Sequence, residues 1–190
     1  MQKKDLLEEM SSLGLGLKRN HLKFVSVQSS WIALAQKVSV FLSHMTQNPV
    51  QIIGSSCVSG LLAKPILDFL LLYKGNKLDT SVIGLLEDFG FTHKGDVVSK
   101  LHNAKEDPSR NFFACYDAQK ENDFIHIHAL VHGSPVALEK IKFRDKLLKN
   151  YKSVERYNAF KLRCLKEKLS REKYRLSKEK IIAKILEDGL

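Results

Sequence analysis

One carboxylate stands out. Asp68 lies inside Ile66-Leu67-Asp68-Phe69-Leu70, a run that is otherwise apolar. An ionised side chain in such a setting is costly unless it is paired, hydrogen-bonded or bound to a metal. Fourteen residues upstream, Gly54-Ser55-Ser56 follows the β-branched stretch Val50 to Ile53. Small residues at a strand end let the backbone turn tightly beside a ligand, and their N–H and hydroxyl groups can hold phosphate. Gly54, Ser55 and Asp68 together suggest phosphate and a metal ion brought to one place. His126 and His128 are spaced two apart in a β-type segment, so both project from one strand face and offer an imidazole ligand or base near Asp68. A catalytic pairing of Asp68 with His128, and a metal set of Asp68, His126 and His128, follow as expectations. Cys57 falls in the same turn and reads as a small packing residue rather than a nucleophile.

The elements that must position these groups can be followed along the chain. Leu6, Leu7, Met10 and Leu13 recur at helical spacing before Gly14 and Gly16, which predicts an outer helix within residues 1–20. Leu22, Phe24, Val25 and Val27 form a β-type run. Ser29 or Ser30 can then cap a helix carrying Trp31, Leu34, Val38, Phe41 and Leu42 on one face. After the strand Val50–Ile53 a second helix is expected near Val58, broken by Pro65. Ile66 to Tyr73 reads as a strand buried on both faces. A helix from Leu78 to Phe89 ends at Gly90, and strands follow around Phe91 to Val98, Arg110 to Tyr116 and Asp123 to Val131. From Val136 helical spacing continues to the end, enough for two or three helices. The expected class is α+β, with one domain over 1–190: a helix in 1–20, a mixed, mostly antiparallel core in 22–135, and basic helices in 136–190.

A chain of 190 residues that is 44% apolar can bury roughly two thirds of its unfolded surface, enough for one core. The longest apolar run, Phe69 to Tyr73, is far short of a membrane span, and residues 1–20 lack the apolar centre of a secretory leader. Cys57, Cys115 and Cys164 are widely spaced and form no paired framework, so a reduced, cytoplasmic setting is expected. The formal net charge is +10, and between Lys140 and Lys180 there are 16 Lys or Arg against 5 Asp or Glu. That balance suits anionic partners, nucleotides or nucleic acid, and equally a solvated helical face.

The stretch Ile53-Gly54-Ser55-Ser56-Cys57-Val58-Ser59-Gly60-Leu61-Leu62-Ala63-Lys64-Pro65-Ile66-Leu67-Asp68 resembles the GrpB family signature, approximately IGSTAVPGLAAKPIIDIDV. The likeness continues in Leu15-Gly16-Leu17, Trp31 and Gly90-Phe91. It extends through His126-Ile127-His128, similar to the family's HLH, and Phe143-Arg144-Asp145, similar to FRD, then Tyr157, Lys161, Tyr174 and Lys178. The family is similar to nucleotidyltransferases of the DNA polymerase beta type. The resemblance therefore implies a mixed sheet with flanking helices, a Gly-Ser turn for nucleotide phosphates, and carboxylates holding Mg²⁺ or Mn²⁺. It also implies phosphate contacts from Lys64, by its place in the signature, and from Arg110, which precedes the aromatic strand Asn111-Phe112-Phe113.

In that superfamily two acids alternate as D-x-D, so that both carboxylates face one side and clamp a metal ion. Here Leu70 stands where the second acid is usual. Asp96 or Asp123 could replace it in space. Ser59 stands in place of the usual Pro, and Gln28-Ser29-Ser30 in place of an acidic turn. Three functions follow as expectations: Mg²⁺-assisted transfer of a nucleoside monophosphate from a triphosphate to a hydroxyl acceptor, a degenerate module that binds a nucleotide or phosphometabolite, or nucleic-acid binding through the basic helices. Arg144 and Asp145, adjacent on a helix, are expected to pair elsewhere. Lys161 and Lys178 could reach substrate or solvate their helices, and the solvating reading is the one expected.

Overall fold

The structure, a computed structural model, describes residues 1–95 and 111–187. Helix α1 (Lys3–Ser12) and helix α2 (Ser29–Thr46) precede the strand β3 (Val50–Ile53), with the two-residue strands β1 (Leu17–Lys18) and β2 (Val25–Ser26) between the helices. A short 3₁₀ turn, Ser55–Cys57, leads to β4 (Leu62–Ala63) and then to β5 (Leu67–Tyr73). Helix α3 (Thr80–Phe89), β6 (Phe91–His93), β7 (Asn111–Asp117) and β8 (Asn122–Val131) follow. Three helices complete the described chain: α4 (Pro135–Lys149), α5 (Tyr151–Lys166) and α6 (Arg171–Glu187).

The main sheet has the order β3-β5-β8-β7-β6, with β1 added to β8. Among the described residues only the central pair β5 and β8 is parallel in this sheet; its other ladders are antiparallel. The mixed, mostly antiparallel sheet expected from the sequence is therefore present, and so is the α+β class. A parallel pair at the centre must be covered on both faces, which explains the continuous apolar character of β5. On one face Leu67, Phe69 and Leu71 pack with Ile125, Ile127 and Ala129 beneath Trp31, Leu34 and Val38 of α2 and Val82 and Leu86 of α3. On the other face Leu70, Leu72 and Leu130 pack beneath Ala137, Val136 and Ile141 of α4. A third cluster joins α4, α5 and α6 to the 3₁₀ turn through Phe143, Tyr157, Phe160 and Tyr174, and reaches Cys57 and Val58.

Local chemistry accounts for the helix ends. Asp79 accepts from Ser81 N at α3, Ser134 accepts from Ala137 N with Pro135 behind it at α4, and Asn150 accepts from Ser153 N at α5. Gly90 closes α3 in a left-handed conformation.

Several expectations are corrected. No α-helix begins near Val58: the segment makes the 3₁₀ turn, bends at Ser59 and Gly60, and returns as β4, which pairs with β2. That pairing unites residues far apart in sequence, so no local pattern announces it. The cap of α2 is Gln28, without a side-chain bond, rather than Ser29 or Ser30. Only Val25–Ser26 of the early β-type run is a strand. Of the strand expected over Phe91 to Val98, β6 accounts for Phe91–His93; Asp96 and Arg110 lie outside the described residues.

Candidate phosphate-binding site

The register of the sheet sets the site. Ile53 of β3 lies opposite Asp68, Asp68 beside His126, and His126 opposite Ala114; one pleat further, Gln51, Leu70, His128 and Phe112 make the next row. Asp68, His126 and His128 therefore share a face, as the period-two spacing requires. His126 Nδ1 is 3.4 Å from Asp68 Oδ1 and His128 Nε2 is 4.0 Å from the same oxygen. Phe112 packs its ring against both imidazoles, with centroids 5.1 and 5.2 Å away. The Asp68 side chain keeps 31% exposure, so the carboxylate is not sealed in the core. Burial pushes its carboxyl up, but the hydrogen bond and charge of His126, with His128 and Lys178, outweigh that and hold it well below the usual carboxylate range.

Gly54 ends β3 at φ 78° and ψ −161°, a backbone that only glycine adopts readily. A Cβ built there would stand 3.2 Å from Asp68 Oδ2. The turn and the carboxylate are thus in close approach, as the sequence predicted for Gly54, Ser55 and Asp68. Ser56 is buried, and its Oγ makes no hydrogen bond among the described residues. Cys57 donates from Sγ to Gly54 O at 3.0 Å, and burial pushes its thiol up to about 12, so it packs as an inert thiol.

The lysines bring the chief surprise. Lys161, read from sequence as a solvating residue, is 1% exposed. Its Nζ donates to Ser55 Oγ at 2.7 Å and to Leu62 O, and lies 3.9 Å from the centroid of the Tyr157 ring. Burial, and then Lys178 and Lys64, press the Lys161 ammonium well below the usual lysine range. Lys64 falls to about 8 for the same reasons, burial first and Lys178 second. Lys178 moves up, with Tyr157 as the first cause and Asp68 assisting against burial. Lys178 of α6 thus acts on both Lys64, at the exit of β4, and Lys161 of α5, and Lys64 acts on Lys161. Asp68 is the carboxylate that all three feel.

Leu70, two residues beyond Asp68, is fully buried and belongs to the apolar patch under α4. Asp123 does not replace the missing acid, because Arg19 Nε holds its Oδ1 at 3.4 Å. Among the described residues no group of three or more His, Cys, Asp or Glu side chains is placed to hold a metal ion. Mg²⁺ and Mn²⁺ require several oxygen ligands, and one carboxylate beside two imidazoles does not make a resident site for them. Arg144 and Asp145 do pair with each other, at 2.7 Å, because the long guanidinium arm folds back; Arg144 also donates to Gln51 Oε1 at 2.9 Å and ties α4 to β3. Tyr157, Phe160 and Tyr174 are buried and so cannot serve as an exposed stacking surface for nucleic-acid bases. The three cysteines are free and buried, and no helix of the described residues is long and apolar enough to cross a membrane.

Comparison with known proteins adds four matches. The family model described as GrpB protein matches residues 21–188. A UPF0157 protein of Vibrio cholerae is 30% identical over 137 residues, 72% of this chain and 65% of that protein, so the match falls just short of two thirds of the relative's length. Among solved structures, the conserved protein GrpB from Enterococcus faecalis superposes with a TM-score of 0.66 at 22% identity, covering 86% of this chain and 97% of that one. The Cid1 poly(U) polymerase bound to MgGTP aligns with a TM-score of 0.43 at 13% identity, over 83% of this chain and 45% of that one.

Proposed function

The chain belongs to the GrpB family, and from that membership together with the geometry of the cleft we propose that it binds a phosphate-bearing small molecule, a nucleotide first among them, between β5 and helices α5 and α6. The observation that supports this most is the contact of Lys161 Nζ with Ser55 Oγ at 2.7 Å in the Gly54-Ser55-Ser56 turn, with the charges of Lys64, Lys178 and Asp68 acting on that lysine. Partly dehydrated ammonium groups that repel one another are stabilised when an anion enters among them. Lys64 and Lys178 supply the charge, the turn supplies hydroxyl and amide donors, and the ionised Asp68 accepts from a ligand hydroxyl or amine.

Nucleoside monophosphate transfer by paired carboxylates is a weaker reading, because Leu70 offers no second ligand. A divalent ion would enter with the phosphates of the nucleotide and find Asp68 as its protein carboxylate. Nucleic-acid binding by the exposed lysines of α4 to α6 rests on charge alone.

The test is calorimetric titration of each nucleoside triphosphate, with and without Mg²⁺ or Mn²⁺, into the wild type, Asp68→Asn and Lys64→Met. Metal-independent binding that weakens roughly tenfold or more in Lys64→Met is expected from loss of one charged hydrogen bond. Absence of binding by every nucleotide would sink the proposal, and binding that needs metal and Asp68 would restore the transferase reading.

A further inference from the structure

The contact between Lys161 and Ser55 is built differently from an ordinary phosphate cradle. Nζ has three partners around it: Ser55 Oγ at 2.7 Å, the carbonyl oxygen of Leu62, and the face of Tyr157 with its centroid at 3.9 Å. A neutral primary amine has two N–H donors and one lone pair. Those partners satisfy it completely if the N–H groups point to Leu62 O and to the Tyr157 ring while the lone pair accepts from the Ser55 hydroxyl. Hydroxyl hydrogens rotate freely, so the same heavy-atom positions serve either direction of the bond. Ser55 itself is partly exposed, at the turn beside Asp68.

We propose that Ser55 is a nucleophile and Lys161 the base that takes its proton, so that the chain becomes transiently phosphorylated on Ser55. The phosphoryl class of substrate rests on the reading of the cleft as a phosphate site; the dyad rests on its own geometry. In the first step the Ser55 Oγ–H proton passes to Lys161 Nζ, the Oγ–P bond forms, and the P–O bond to the leaving group breaks with its electron pair departing on that oxygen. In the second step water or an acceptor hydroxyl attacks phosphorus and gives up its proton to solvent. The Ser55–P bond breaks, and Lys161 returns its proton to Oγ. Burial and the neighbouring lysines favour the uncharged amine that the first step requires. The pair needs no second carboxylate, and so is consistent with Leu70 at the position where a metal ligand is missing.

The experiment uses diisopropyl fluorophosphate on the folded protein, with intact mass, peptide mapping and labelling rates followed against pH. Attack forms Oγ–P, breaks P–F, releases fluoride and leaves the proton on Lys161. The expected result is one adduct, at Ser55, absent in Ser55→Ala and slowed roughly a hundredfold in Lys161→Arg, whose guanidinium stays charged. The wild-type rate should rise with pH along one titration below that of free lysine. Absence of a Ser55 adduct, or an unchanged rate in Lys161→Arg with a native melting transition, overturns the dyad. If Lys161→Arg does not fold, a wild-type labelling rate that shows no titration anywhere in the pH range over which the protein stays folded overturns it instead. Calorimetric nucleotide binding without an adduct also overturns the dyad, whereas an adduct without nucleotide binding supports it and defeats the phosphate reading of the cleft.

Discussion

Asp68 and Leu70 project from the same face of β5, one pleat apart, yet Asp68 stays partly exposed while Leu70 is sealed beneath α4 by Ala137, Val136 and Ile141. Arg144 clamps this cover in place by bonding Gln51, the β3 neighbour of Leu70. The position of the second acid is therefore part of the packing that attaches α4 to the sheet.

Leu70→Asp should consequently fail to create a metal site. A carboxylate introduced there loses apolar contacts and has no partner, which costs roughly 3 kcal/mol or more. For a chain of this size that corresponds to a melting temperature lowered by ~6–12 °C. Thermal denaturation followed by circular dichroism checks it; a melting point within ~2 °C of wild type would show that α4 can lift away to admit charge.

Asp68 should stabilise the fold at neutral pH and cease to do so in acid. Its folded-state carboxyl is held below its ordinary value of 3.8, so its contribution is fully present above that value and is lost as pH falls through the folded one. The stability gap between wild type and Asp68→Asn, measured by urea denaturation, should narrow as pH is lowered from about 6 to about 3. A gap that widens over this interval would mean that burial, not His126 and His128, governs the carboxylate.

Lys64 reverses that logic. Its ammonium is pressed from 10.5 to about 8 in the folded chain, so above about 8 the unfolded state binds more protons and folding stability rises with pH until the unfolded lysine titrates. Ligand affinity should move the opposite way. Nucleotide binding should weaken as pH rises through about 8, and Lys64→Met should both weaken it and flatten that dependence. Titrations across this interval check it, with a constant wild-type affinity as the contrary outcome.

Much of this could be seen in one dimension. The β-branched run Val50–Ile53, the Asp79-capped α3 ending at Gly90, and the Pro-started α4 carry their own local signals of strand, turn and cap. The shared face of His126 and His128 also follows from sequence, because period-two geometry sets alternate residues on one side, whereas the approach of Gly54 to Asp68 needs the β3–β5 register. What followed Cys57 could not be seen. A 3₁₀ turn and a two-residue strand are held by β2, some forty residues earlier, and short elements draw too little from local propensity to declare themselves.

The sequence by itself determined the apolar periods, the turn residues and the set of chemical groups available. Only the tertiary structure decided which charges are hidden. Lys161 has the spacing of a helical surface residue, but α5 packs against the Ser55 turn, so its ammonium lies on Tyr157 and Ser55 instead of in water. Dehydration and proximity to other charges depend on how distant segments meet, and they are what change a lysine from a solvated point charge into a group capable of chemistry.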